Sequence, residues 1–151
     1  MVKASSSGWS SDLSGGAETI VARATAPGPS ALAVVRLSGP DARRIASEIS
    51  PAVDFGEPWR ARLVALDGLD ERAVAVAFAA PRSYTGEDML ELTVHGSPFV
   101  VRSLIERCLA AGARPAGPGE FTRRAVANGK MDLVQAEAVR DLVRAETAWQ
   151  A

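Results

Sequence analysis

The sequence predicts a two-layer α/β (α+β) domain with a mixed sheet and flanking helices, followed by a C-terminal helix. Three observations lead there. Strand-like and helix-like patterns interleave along the chain instead of segregating. Two alternating stretches joined at Asp67-Gly68 read as an antiparallel hairpin, while other strands are separated by helical segments. From Asp132 onward the apolar residues keep a helical spacing almost to the end.

Composition narrows the classes. The 151 residues suit one domain, and 47% hydrophobic with 23% charged residues is globular composition, not that of a disordered chain. With 17 basic and 18 acidic residues the net charge is -1, which argues against a dedicated nucleic-acid binder. Cys108 is the only cysteine, so there is no internal disulfide framework. The longest apolar run, Ala73 to Ala80, is far below the roughly 20 residues that span a bilayer. The Ser/Gly-rich N-terminus lacks the apolar stretch of a secretory signal. The expectation is a cytoplasmic protein without membrane contact.

Residues 1–17 read as a flexible tail in which only Trp9 and Leu13 are able to pack. Thr19 to Ala24 is a short strand, ended by the Pro27-Gly28-Pro29-Ser30 turn. Ala31 to Leu37 is an apolar run that reads as a buried strand. Pro40 and Asp41 open a helix whose Ala42, Ile45, Ala46 and Ile49 form one apolar stripe. Trp59 to Leu66 alternates, with Trp59, Ala61, Leu63 and Ala65 opposite Arg60, Arg62 and Val64; Arg72 to Ala79 returns beside it. Pro81 to Asp88 is a polar loop. Met89 to His95 alternates again, with Leu90, Leu92 and Val94 opposite Met89, Glu91, Thr93 and His95.

Ser97-Pro98 opens a second helix carrying Val101, Leu104, Ile105 and Cys108, and Gly112 suits its end. Arg114 to Ala116 is a short strand candidate. Phe121 to Ala127 forms a third helix, closed by Asn128-Gly129. Asp132 and Gln135 have capping-box spacing for a last helix reaching about Trp149. The domain reading is therefore a tail at 1–17, an α/β domain at 18–130 and a helix at 131–151.

Few residues carry chemistry. Glu91 sits mid-strand on the face away from Leu90, Leu92 and Val94, although such a glutamate is more often only solvated. Gly117-Pro118-Gly119-Glu120 enters a helix whose N-terminus could attract an anion; Glu120 against the helix dipole is the plainer reading. Asn128-Gly129-Lys130 suggests a phosphate loop but fails the pattern, because Arg124 and Met131 stand where glycine and Ser/Thr are required. No GTP site is expected in this chain. One histidine, His95, and one cysteine exclude a zinc site of ordinary composition. No G-x-S-x-G elbow occurs, and Cys108 lies on an apolar helical stripe, as a core thiol does.

Several stretches together resemble the N-terminal domain of the tRNA-modifying GTPase family MnmE/TrmE. They are Thr19-Ile20-Val21-Ala22, Ala24-Thr25-Ala26-Pro27-Gly28, Val35-Arg36-Leu37-Ser38-Gly39, Ser83 to Glu91, His95-Gly96, Pro118-Gly119-Glu120-Phe121-Thr122, Arg124-Ala125 and Asn128 to Glu137. They fall in the family's order and spacing across residues 18–148. The resemblance implies an α/β module that binds 5-formyltetrahydrofolate and forms a homodimer. It further implies an FAD-dependent tRNA-modification partner, with tRNA touched only indirectly. The matching positions imply folate contacts at Arg36, Glu91 and Lys130. The family's GTPase segment is missing, so this chain alone is not expected to be catalytic.

The chemistry of the three residues is consistent with that role. A carboxylate accepts two adjacent N–H donors from a pterin edge, and cations pair with the carboxylates of a folate tail. One departure stands out: the family's Gly-Arg-Gly-Gly loop reads Gly28-Pro29-Ser30-Ala31 here. It leaves open a second reading, an interaction protein that keeps the fold without folate binding.

Overall fold

The computed structural model describes residues 18–144. The 1–17 segment and the helical pattern beyond 144 lie outside the described residues. Among them the strands are β1 (Ile20–Arg23), β2 (Ser30–Ser38), β3 (Ala61–Ala65), β4 (Arg72–Phe78), β5 (Met89–Gly96) and β6 (Arg114–Pro115). The helices are α1 (Ala42–Ile49), α2 (Pro98–Ala110), α3 (Glu120–Ala127) and α4 (Leu133–Arg144). The six strands form one sheet in the order β3-β4-β5-β2-β1-β6. It is mixed: β6 runs parallel to β1, and every other neighbour is antiparallel. The two-layer mixed-sheet domain read from the sequence is therefore the fold observed.

The period of two along each strand divides the sheet into two unlike faces. Val21, Ala33, Val35, Leu37, Ala73, Ala75, Ala77, Leu90, Leu92 and Val94 point to one face and are buried with α1 and α2. Helix α1 contributes the stripe expected of it, Ala42, Ile45, Ala46 and Ile49, all buried. Helix α2 buries Val101, Leu104 and Cys108. Serine at its N-cap leaves its side chain unbonded to the helix, so Pro98 at the first turn carries that start.

Two expectations need correction. The Ala31–Leu37 run is not a buried strand: β2 alternates, with Leu32 exposed and Val34 and Arg36 half-buried on the second face. Small and β-branched residues made a half-buried strand resemble a fully buried one. In β3 it is Val64, from the arginine-bearing row, that enters the core, while Leu63 of the more apolar row is 57% exposed. The strand's register with β4 decides this, because a one-residue slip exchanges the faces.

The polar 81–88 loop is also more interior than its composition suggests. Ser83 and Thr85 are buried, Ser83 Oγ donates to the Glu87 carbonyl, and Ser38 Oγ lies 2.7 Å from Thr85 Oγ1. Gly86 takes a φ of 81°, a Cβ there would crowd the Asn128 and Lys130 side chains, and Asn128 Nδ2 donates to the Thr85 carbonyl, so the loop seats on the end of α3. The capping box is present: Gln135 N–H donates to Asp132 Oδ1 at 2.8 Å and Asp132 N–H to Gln135 Oε1 at 2.9 Å.

Candidate functional site

Among the described residues the second sheet face has no helix layer over its centre, and its residues stand in register. Leu63, Val74, Thr93 and Val34 form one row across β3, β4, β5 and β2. Ala61, Val76, Glu91, Arg36 and Ala22 form the next row, which reaches β1. Glu91 and Arg36 thus meet as directly opposed residues of antiparallel strands, 55 positions apart in sequence.

Their side chains join. Arg36 Nε donates to Glu91 Oε1 at 2.8 Å, and its Nη2 lies 2.6 Å from the same oxygen. Two aromatic rings lie close to the guanidinium. Its central carbon is 5.0 Å from the Tyr84 ring centre and 5.3 Å from that of Phe121. Tyr84 comes from the 81–88 loop and Phe121 from the first turn of α3, and the Tyr84 hydroxyl lies 2.8 Å from Thr122 Oγ1. The result is a half-buried, carboxylate-floored cradle with flat apolar walls. Such a cradle suits a planar group edged with N–H donors.

A buried charge network holds the walls. Arg124, only 3% exposed, donates through one nitrogen to both oxygens of Glu87 at 3.1 Å and through another to Glu120 Oε1 at 3.2 Å. Glu87 also accepts from Ser38 Oγ at 2.7 Å, which ties the loop to the end of β2. Glu120 accepts two bonds from Arg114, at 2.8 and 2.6 Å, and one from the Gly117 amide. The Arg114 guanidinium, the Gly117 amide and Arg124 together hold the Glu120 carboxyl down at about 2, against an ordinary 4.5. Reading Glu120 only as a helix-dipole partner misses this: it is the centre of an ion network.

Lys130 reaches the same loop from the other side. Its Nζ donates to the Pro81 carbonyl at 2.9 Å, and Asn128 Nδ2 donates to the Thr85 carbonyl at 2.7 Å. Of the three residues singled out in the sequence, two are therefore in contact and the third is fastened to the loop that carries Tyr84. Tyr84, Phe121, Glu87 and Arg124 were not assigned roles from the sequence. The signal for Tyr84 was available, since it is the chain's only tyrosine and lies inside the Ser-Tyr-Thr-Gly-Glu-Asp motif.

Two other sequence candidates lie elsewhere. His95 is exposed, and its Nδ1 is 3.0 Å from both Glu71 oxygens, a contact that holds the Glu71 carboxyl below the usual range despite its desolvation. Cys108 is buried, and burial pushes its thiol up to about 12, which removes it from nucleophilic chemistry. No group of three or more metal-ligating side chains occurs among the described residues.

The 28–31 loop has its own fastening. Arg23 donates to Thr25 Oγ1, the Gly28 carbonyl and Ser30 Oγ, so one side chain spans the turn.

A mixed sheet with helices on one face and the Arg36–Glu91 ion pair on the other defines a two-layer α/β domain. Residues 19–130 match the family model described as GTP-binding protein TrmE N-terminus, and the chain belongs to that family. It is similar to proteins named tRNA modification GTPase MnmE. The relative from Opitutus terrae is 48% identical over 136 residues, covering 86% of this chain and 29% of its own length. Those from Thermotoga petrophila and Bordetella petrii are 48% and 52% identical, covering 86% and 85% of this chain and 30% of their own lengths. The chain thus spans under a third of these relatives.

Proposed function

We propose that this chain is a reduced-folate-binding and dimerisation module serving tRNA wobble-uridine modification in the cytoplasm. The observation that carries the reading is the direct Arg36–Glu91 contact beside the Tyr84 and Phe121 rings. The two residues lie in motifs far apart in the sequence. The residues fit the ligand chemically. Glu91 offers a carboxylate to the 2-amino and ring N–H groups of a pterin, Tyr84 and Phe121 offer faces for its ring, and Arg36 and Lys130 offer cations for the folate carboxylates. Bound 5-formyltetrahydrofolate would supply the one-carbon unit, and this chain's residues bind and orient it. Catalysis and GTP hydrolysis would then belong to other parts of the relatives, and GTP should give this chain no thermal stabilisation.

The test is calorimetric titration of 5-formyltetrahydrofolate into the wild type and Glu91→Ala. Removing a carboxylate with charge-assisted bonds costs about 1.5–3 kcal/mol, a ten- to hundred-fold loss of affinity. Equal affinities, or no heat with the wild type at millimolar ligand, would overturn the assignment. The second reading, an interaction protein without folate, is favoured only by the Arg23-fastened loop at 28–31 and would be the outcome if no heat appears.

The homodimer is supported by the uncovered sheet face. Leu32, Leu63 and Val74 are 59%, 57% and 41% exposed on it, next to the cradle. Pairing two such faces would remove these exposed apolar side chains from water. A second apolar surface is a groove of about 640 Å³ between α3 and α4, lined by Val126, Leu133, Ala136, Val139 and Val143. We assign residues 18–130 to the module and the stretch from 131 to the start of the relatives' next, helical part, whose packing would fill that groove. An FAD-dependent partner protein would act on the assembled whole.

A further inference from the structure

The cradle at Glu91 is filled by the protein itself. The Arg36 guanidinium is flat and edged with N–H donors, lies close to the Tyr84 and Phe121 rings, donates through Nε to Glu91 Oε1 and holds Nη2 2.6 Å from the same oxygen. Those are the same features that suit the cradle to the edge of a 2-aminopyrimidinone ring. We propose that Arg36 is a built-in competitor for its own site, which must leave Glu91 before a guanidine-edged heterocycle takes that carboxylate, and which then becomes free to pair with the ligand's acidic tail. The proposal rests on the folate reading above and adds the exchange step.

Three observations support exchange over a fixed pair. A bidentate pterin contact needs both Glu91 oxygens facing one donor edge, and Arg36 already holds Oε1. The two side chains are 22% and 26% exposed, so the guanidinium can swing out without opening the core. Among the described residues the Arg36 side chain makes no hydrogen bond except to Glu91. The neighbouring Arg124 shows the contrast: at 3% exposure it is bound to Glu87 and Glu120 together and has nowhere to go. Lys130 is held by the Pro81 carbonyl and does not contest Glu91. A site open only part of the time binds more weakly by that fraction. For a partly exposed ion pair the factor is about fivefold, equivalent to about 1 kcal/mol.

The experiment compares the wild type with Arg36→Met and Arg36→Ala, using two ligands in calorimetric titration. One is pterin without a tail; the other is 5-formyltetrahydrofolate. Exchange predicts opposite signs: the variants bind pterin about fivefold tighter than the wild type and bind 5-formyltetrahydrofolate more weakly. Pterin binding that is unchanged or weaker in both variants overturns the competitor role, while leaving folate binding by the wild type intact. If no chain binds either ligand, the folate reading fails and the competitor is judged separately with methylguanidinium. It should raise the melting temperature of Arg36→Ala and leave that of the Arg36→Ala/Glu91→Gln double variant unchanged. No difference between those two proteins overturns the proposal.

Discussion

The guanidinium of Arg124 and the carboxylate of Glu87 meet inside the protein, 37 residues apart in sequence, at 3.1 Å to both oxygens. This contact is the bolt between α3 and the 81–88 loop, and through them between Phe121 and Tyr84. Removing one partner of such a buried pair leaves a stranded charge. Arg124→Met should therefore destabilise by about 3–5 kcal/mol, read from denaturant midpoints. The same variant should weaken folate binding while Glu91 stays in place. A loss under about 1 kcal/mol would mean that the network does not hold the walls.

Acid should loosen the same network through Glu120. Its carboxyl is held at about 2 in the folded chain, against 4.5 unperturbed. A carboxylate with a depressed folded pKa adds stability that is complete above about 4.5 and is lost as the pH falls through about 2. The full contribution is about 3 kcal/mol. Asp88, held low by Arg43, acts in the same direction. Glu120→Gln should flatten the stability profile between those two pH values, and an unchanged slope would exclude Glu120 as its source.

Gly96 and Ser30 are too close for any side chain at position 96, because a Cβ there would collide with Ser30 Oγ and its backbone carbonyl. Gly96→Ala should cost about 1–3 kcal/mol by forcing β2 and β5 apart at that end. Thermal melts measure it, and Gly119→Ala, with open space around its α-carbon, provides a strained-φ control free of collision.

The Cys108 thiol should not react with an aromatic disulfide reagent in the folded chain, because burial both hides it and pushes its pKa up to about 12. Labelling should proceed only at the rate at which the core around α2 opens. Rapid stoichiometric labelling of native protein would contradict that burial.

Val74→Glu places a charge beside exposed Leu63 on the second sheet face; with the proposed homodimer pairing through that face, it should halve the mass seen by light scattering, leaving the melting transition of the single chain in place. Val139→Glu, in the α3/α4 groove, should leave the mass of the dimer unchanged. The reverse result would move the interface to the last helix.

Periodicity and punctuation were sufficient for the elements. The α1 stripe, the Asp67-Gly68 hairpin, the β5 alternation that aims Glu91 away from the core and the Asp132–Gln135 cap are local matters, set by residues within a turn or two of one another. The motifs around Arg36, Glu91 and Lys130 were legible for the same reason, each being a short run. Tertiary structure decided what faces what. Register alone placed Val64 in the core and Leu63 outside, and made β2 half-open when its composition read as buried. Only the fold could bring Tyr84 and Phe121 beside Arg36, or set Arg124 and Glu120 in the interior as a paired network. A charge is tolerated inside only where distant parts of the chain deliver its partners together, and no local pattern encodes that meeting.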